Sequence, residues 1–270
     1  MWEWAGYGQT DRGLVRATNQ DTFLVDNRHR LWAVADGMGG HPGGDVASRL
    51  VMDTLADFSP TLVRSPANEA ENEEEHGRFL LTTMAEHAHA AVCAHADRHP
   101  QLLGMGTTLV MAHLLPLPNP RLLVLNVGDS RAYLVRRRTI TLLTRDHTLI
   151  EADVREGRLT PAQAARHPDR HVLTRAMGLG PVLESDCFSF ELSSGDLILL
   201  CSDGLTKMLT DERILETALS HADNPALATR ALIQAALNDG GIDNVTVVAC
   251  TIYWYPRPGK YPLTPPQGAR

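Results

Sequence analysis

The feature that most constrains this chain is a run of apolar residues that ends in an aspartate beside glycine. Residues 31–44 have the sequence LWAVADGMGGHPGG, which is apolar until Asp36 and then contains five glycines. An unpaired carboxylate at the end of a buried strand is costly, and glycines let the backbone bend sharply and allow close approach. Two interpretations stay open on this segment alone: a tight turn with local hydrogen bonds, or an oxygen-rich site for a hard divalent cation.

The same pattern recurs at three other places along the chain. Asp129 follows the apolar run RLLVLNV, Asp203 follows LILLCS, and Asp243 precedes VTVVAC, each beside Gly or Asn. One such aspartate indicates a turn, whereas four indicate sheets whose strand ends converge on one place. Clustered carboxylates repel one another, and shared protons or bound cations relieve that repulsion.

The composition of this set of residues favours particular ions. An all-oxygen set without Cys or His favours Mg²⁺ or Mn²⁺ over Zn²⁺. Two such ions held roughly 3.5–4 Å apart form the type of site used for in-line attack on phosphorus. The residues therefore predict a dinuclear hydrolase, without naming its substrate.

Charge and composition exclude several other classes of protein. The net charge of −7 argues against a nucleic-acid partner, and no apolar run approaches the ~18 residues of a membrane span. The four cysteines have no CxxC spacing, which indicates reduced thiols and a cytoplasmic setting. No signal peptide is visible at residues 1–10. Lys207 and Lys260 are the only lysines, and there is no P-loop and no kinase-type strand lysine.

The hydrophobic periodicity predicts mostly short strands with two pairs of helices. Strands 21–26 and 31–36 are expected to form a hairpin, and 44–58 has the spacing of an amphipathic helix. A solvated loop is expected at 59–77, and the polar region 144–181 has the length of a lid or flap. The other predicted elements are strands within 104–115, 121–130, 131–136, 139–143, 186–192, 197–204 and 245–250, helices at 78–98, 211–220 and 224–238, and helical pieces near 148–156 and 161–166.

Six short motifs occur in a fixed order over residues 6 to 252. They are Arg16 with Asn19-Gln20-Asp21, DGMGGH (36–41), GTT (106–108), VGDSRAY (127–133), SDGL (202–205) and DNVT (243–246). This ordered set resembles the metal-dependent serine/threonine protein phosphatases of type 2C, in their compact bacterial form (the PPM-type family). The resemblance implies an α+β fold, a four-layer αββα sandwich with two central antiparallel β-sheets flanked by helix pairs. It implies one catalytic domain at 1–252, and we expect the proline-rich segment 253–270 to be a flexible tail.

The resemblance also implies ligands for two ions, Mn²⁺ or Mg²⁺. Asp36 would bridge the two ions and act in catalysis, and the Gly37 carbonyl would bind one of them. Asp203 and Asp243 would hold the other ion. Asp129, together with Asp203, would hold a third, weaker ion.

Two further residues have implied roles, and two positions depart from the family. Asp21 would act on the metals through water, and Arg16 would bind the substrate phosphate and assist catalysis. Met38 stands where many eukaryotic relatives have a histidine proposed as general acid, so a proton would come from water, from His41, or not at all. Gln20 stands where some members place an acidic metal ligand. The neutral amide of Gln20 would weaken the second metal site.

The implied activity is hydrolysis of phosphoserine and phosphothreonine by a Mn²⁺- or Mg²⁺-activated water. The expected partners are phosphorylated proteins and a bacterial serine/threonine kinase that the enzyme opposes, with no nucleic acid and no membrane, and the chain is expected to be a cytoplasmic monomer. Two alternatives stay open. One is a phosphatase of another phosphoester, such as a phosphorylated anti-sigma antagonist. The other is a non-catalytic regulator that binds phosphoproteins or metal without turnover.

Overall fold

Two five-stranded antiparallel sheets form the centre of the molecule. The computed structural model describes residues 1–38, 43–63, 73–115, 119–164 and 166–255. The first sheet has the strand order β1 (Trp2–Asp11), β10 (Val245–Trp254), β9 (Asp196–Cys201), β6 (Arg131–Arg136), β7 (Thr139–Leu142). The second has the order β2 (Asp21–Asp26), β3 (Leu31–Asp36), β4 (Leu109–Leu115), β5 (Arg121–Val127), β8 (Asp186–Glu191). The helices are α1 (Gly44–Phe58), α2 (Glu73–Arg98), α3 (Leu149–Arg155), α4 (Pro161–Ala164), α5 (Asp203–Thr206), α6 (Asp211–Leu219) and α7 (Pro225–Asn238).

Three apolar clusters hold four layers together. Side chains such as Val34 and Ile198 fill the space between the two sheets. Helices α1 and α2 cover the outer face of the second sheet, and α6 and α7 cover the outer face of the first. Strands that are buried on both faces have continuous apolar sequences rather than alternating ones, which is why β4 and β9 are buried along their whole length. The predicted α+β sandwich is confirmed.

Most predicted elements lie within a few residues of the observed ones, but four differ. Strand β1 was not predicted, because Gly6 and Gly8 weaken the strand pattern. A Cβ on Gly6 would lie 2.1 Å from Trp32 Nε1, so glycine is what lets β1 pack over the second sheet. The short helix α5 was also missed. Helix α2 begins at Glu73, five residues earlier than predicted, because acidic side chains are favourable in a first helical turn.

The fourth difference concerns the predicted tail. Strand β10 extends to Trp254 and pairs with β1, so residues 253 and 254 belong to the sheet. Residues 256–270 lie outside the described part of the chain, as do residues 64–72 of the predicted acidic loop. Within the residues that are described, no helix has both the length and the apolar character needed to cross a membrane.

Candidate functional site

The strand ends that carry the predicted aspartates meet at one end of the sandwich. In the second sheet, antiparallel pairing places Asp21, at the start of β2, directly opposite Asp36, at the end of β3. In the first sheet, β9 ends and β10 begins at the same edge, since Cys201 pairs with Val247. The residues just beyond these strand ends, Asp203 and Asp243, are thereby brought to the same side of the molecule.

Helix α5 starts at Asp203 and packs tightly against the turn that carries Asp243. A Cβ on Gly204 would lie 1.9 Å from the backbone oxygen of Asn244, a separation that no side chain tolerates. The Asn244 side chain fixes the same turn, since its amide donates to the Arg12 and Thr18 carbonyls at 2.8 and 2.9 Å. Backbone contact at Gly204 therefore sets the spacing of the two carboxylates.

Replacing Gly204 with alanine is expected to lower the free energy of unfolding by about 3 kcal/mol, because the clash is with backbone and cannot be relieved by a rotamer change. Gly157→Ala is the control: that glycine has a φ of +73° but nothing near its Cβ position, so a loss of about 1 kcal/mol is expected. Urea denaturation of the two variants measures the difference. Equal losses would contradict the close packing described here.

Four of the aspartates line a common cleft of about 900 Å³. Its other wall is formed by residues of α3 and of the segment 171–184, most of which belong to the region 144–181 predicted as a flap. The predicted site residues that line the cleft are Arg16, Asp36, Gly37, Asp129, Asp203 and Asp243. Met38 and Gln20, the two departures from the family pattern, also line it, whereas His41 lies outside the described residues.

Asp21 lies beneath the cleft and is not part of its lining. Its side chain is 7% exposed, and Oδ2 accepts hydrogen bonds from Ser202 Oγ at 2.7 Å and Thr246 Oγ1 at 2.6 Å. Oδ1 is buried and has no hydrogen-bond partner in the described part of the chain. Burial raises the pKa of Asp21 to about 6, although the two hydroxyl donors oppose the shift.

Asp36 and Asp129 experience the mutual repulsion expected of clustered carboxylates. Burial raises the pKa of Asp36 well above its usual value, and the neighbouring charges of Asp21, Asp203 and Asp129 raise it further. Asp129 is 8% exposed, and burial followed by repulsion from Asp203 raises its pKa to about 7. Carboxylates in this state gain from any cation that enters the cleft.

Asp243 differs because two cationic side chains contact it. Arg16 donates to both of its oxygens, from Nε at 2.8 Å and from a terminal nitrogen at 2.9 Å, and Lys207 Nζ lies 2.7 Å from Oδ2. Burial would raise the pKa of Asp243, but the contacts with Lys207 and Arg16 outweigh it and lower the pKa. Arg16 therefore contacts a carboxylate here, and its predicted role toward phosphate stays a prediction.

Two residues of the site were not predicted. Lys207 follows Asp203 by four residues and caps the C-terminal end of α5, which places the two side chains together. His171 offers a ring nitrogen within 4.8 Å of carboxylate oxygens of Asp129 and Asp203, a group able to hold a metal ion. Nothing in the sequence marked His171, because it lies in the irregular segment between α4 and β8.

Most of the chain matches known proteins in sequence and in fold. Residues 6–239 match the sequence profile described as Protein phosphatase 2C. The chain belongs to the protein phosphatase 2C family. Among curated members, it is 39% identical over 250 residues to the serine/threonine protein phosphatase PstP of Mycobacterium tuberculosis, covering 92% of this chain and 45% of PstP. It is 35% identical over 244 residues to the serine/threonine phosphatase stp of Listeria monocytogenes, covering 89% of this chain and 92% of that protein.

Solved structures of protein phosphatase 2C members have the same fold. The catalytic domain of PstP in complex with two manganese ions is 37% identical, with a TM-score of 0.78 over 94% of this chain and all of that one. The Mycobacterium smegmatis phosphatase MsPP in complex with cacodylate is 34% identical, with a TM-score of 0.74 over 92% of this chain and 97% of the other. The chain thus spans about half the length of the whole PstP protein, but the full length of its solved catalytic domain.

Proposed function

We propose that this chain is a metal-dependent phosphatase of phosphoserine and phosphothreonine in proteins. The observation that carries the proposal is the convergence of Asp36, Asp129, Asp203 and Asp243 on one cleft, with Arg16 at its edge. The catalytic domain of PstP, which aligns with nearly the whole chain, contains two manganese ions. A dinuclear site requires these aspartates to lie together, and the four share one cleft.

The residues fit a pair of hard divalent cations. Asp203 Oδ1 is buried without a hydrogen-bond partner among the described residues. A buried, unpaired carboxylate oxygen is costly, and a hydrogen-bond donor or a cation would stabilise it. The raised pKa values of Asp36 and Asp129 indicate carboxylates in need of more positive charge. Carboxylate and carbonyl oxygens are the ligands that Mn²⁺ and Mg²⁺ take in proteins.

We assign the ligands as the family resemblance implies. Asp36 would bridge two ions, the Gly37 carbonyl would bind one, and Asp203 with Asp243 would bind the other. Asp129 with Asp203 would hold a third, weaker ion, and Asp21 would act through water. Bound ions would supply Lewis-acid activation of water for attack on phosphorus.

The side chains of this protein would position the phosphoester. Arg16 has a guanidinium fork that matches the geometry of a phosphate group, and its side chain is 42% exposed at the cleft. A phosphate that displaces Asp243 from this fork would gain two hydrogen bonds in a fixed orientation. Met38 lines the cleft beside Asp36 but has no proton to donate, so protonation of the leaving group falls to solvent or to another cleft residue.

Several finer assignments complete the proposal. The substrates would be targets of a serine/threonine kinase, and the enzyme would act in signalling as a monomer in the cytoplasm. Residues 1–252, with the end of β10, would form one catalytic domain, and the remaining residues a flexible tail. Mg²⁺ would substitute for Mn²⁺.

The decisive experiment measures phosphate release from phosphoserine, phosphothreonine and phosphotyrosine peptides with and without added Mn²⁺. We expect Mn²⁺-dependent release from the first two, lost on Asp203→Ala. Metal-independent release would contradict the mechanism. Binding of a phosphopeptide without turnover would favour the non-catalytic regulator, and activity confined to a non-protein phosphoester would favour the second alternative.

Replacing Arg16 with alanine is expected to raise the KM for a phosphothreonine peptide by about tenfold or more, with a smaller effect on kcat, because the fork binds phosphate in the ground state and the transition state alike. Steady-state kinetics at saturating Mn²⁺ measures this split. Arg16→Lys is the matched variant, since it keeps the charge but loses the fork. An equal loss in Mn²⁺ affinity and in KM would show that Arg16 acts mainly by orienting Asp243.

A further inference from the structure

Lys207 places a positive charge between two of the cleft aspartates. Its Nζ lies 2.6 Å from Asp203 Oδ2 and 2.7 Å from Asp243 Oδ2. The lysine side chain is 20% exposed and lines the cleft, and both carboxylates are 15% exposed. One ammonium therefore joins α5 to the turn before β10 at a place shielded from most solvent.

The two partners of Lys207 are the carboxylates that the proposed function assigns to the same ion. Lys207 contacts Oδ2 of both aspartates, and an ammonium and a divalent ion cannot both occupy the space between these two oxygens, because each needs contact distances near 2–3 Å. Their like charges also repel strongly at such short range. An ion held between the two carboxylates at these oxygens would therefore compete with the lysine for one position.

The lysine side chain is flexible enough to leave this position. Its four-carbon stem rotates freely and carries a compact charge that is well hydrated in water. Because Lys207 lines the cleft, its ammonium has a solvent-filled space to enter when it leaves the aspartates. Before phosphate binds, Arg16 would keep its contact with Asp243 Oδ1, so the turn keeps one cation after the lysine departs.

We propose that Lys207 is a built-in counter-cation, which holds Asp203 and Asp243 together in the metal-free protein and must be displaced before the ion that these residues share can bind. The inference rests on the proposed function for the identity of that ion. It predicts that the lysine stabilises the metal-free protein and raises the metal concentration at which the site fills. The enzyme would then need a higher Mn²⁺ concentration to fill the site than the same carboxylates would need without the lysine.

The experiment is calorimetric titration of Mn²⁺ into metal-stripped wild type, Lys207→Gln, Lys207→Met and Lys207→Arg, with thermal unfolding measured before and after metal addition. Arg158→Gln is the matched control, because it also removes one positive charge from a carboxylate pair, but at a side chain that is 56% exposed and outside the cleft. We expect the Gln and Met variants to bind Mn²⁺ at least about tenfold more tightly. Their metal-free Tm should fall and their Tm increase with Mn²⁺ should grow.

Lys207→Arg should stay close to wild type in Mn²⁺ affinity, and so should the Arg158 control. Unchanged or weaker Mn²⁺ binding in both the Gln and Met variants would overturn the proposal, as would the same gain in the Arg158 control. If wild type releases phosphate with Mn²⁺ while the Lys207 variants bind the ion no better, only this inference fails. If wild type neither binds Mn²⁺ nor releases phosphate, the proposed function fails and this inference fails with it.

Discussion

Replacing Asp36 with asparagine is expected to lower Mn²⁺-dependent phosphate release by at least about a thousandfold. Burial raises the pKa of Asp36, and the charges of Asp21, Asp203 and Asp129 all raise it further. Asp36 is therefore the group best placed to bridge two ions in the proposed function. An amide oxygen is a weaker ligand without charge, so the loss falls on the ions and on the chemistry that depends on them.

The fold of the Asp36→Asn variant should survive, which separates this loss from simple unfolding. Removing a charge that is buried among other negative charges relieves repulsion, so its metal-free Tm should equal or exceed that of wild type. Asp57→Asn, at an exposed position on α1, is the matched control and should retain full activity. A variant of Asp36 that kept more than about a tenth of wild-type activity would exclude the bridging role.

A second large effect is expected in the pH dependence of stability without metal. The pKa of Asp129 is about 7 in the folded protein, against an ordinary value of 3.8, chiefly because of burial. The folded state therefore holds a proton that the unfolded state has lost between pH ~4 and ~7, and the free energy of unfolding falls as the pH rises through that window. Asp129→Asn removes this contribution. The variant should match wild type near pH 4 and exceed it in free energy of unfolding by a few kcal/mol at pH 8.

Comparing the two proteins at each pH cancels the other titrating groups. His113 is one of these: burial lowers its pKa to about 4, so it changes stability in the opposite direction with pH, but equally in both proteins. Urea denaturation in the presence of a chelator, at pH 5 and at pH 8, measures the difference. A wild type that equals or exceeds the variant at pH 8 would show that the Asp129 carboxylate is adequately compensated in the metal-free protein.

The pattern of apolar runs was enough to predict most of the strands and helices. Strands β3 and β9 are buried along nearly their whole length; β3 ends in Asp36, and Asp203 follows two residues after the end of β9, so the local sequence predicts both strands and where they end. Strand β1 was not predicted because its two glycines weaken the local strand pattern. Gly6 and Gly8 make room for the side chains of Trp32 and Phe23, which approach from the other sheet. That contact joins residues far apart in the sequence, and no local pattern reports it.

In the candidate site, too, some properties can be predicted from the sequence and others depend on the tertiary structure. The recurrence of aspartates at strand ends was enough to predict that they would meet, because neighbouring antiparallel strands bring one strand's end beside the next one's start. The charge state of the site depends on contacts across the fold. Arg16, near the start of the chain, and Lys207, 36 residues before Asp243, both contact the Asp243 carboxylate. These contacts lower the pKa of Asp243, whereas the pKa of Asp36 in the same cleft is raised.

The ordered motifs of the sequence were enough to identify the family, whose resemblance implied the sandwich architecture, and the apolar runs were enough to place aspartates at strand ends. Only the tertiary structure decided which carboxylates carry a counter-cation and which are left to repel one another. The physical reason is that electrostatic energies depend on distances of a few ångströms and on burial. Both quantities arise when segments distant in the sequence pack together.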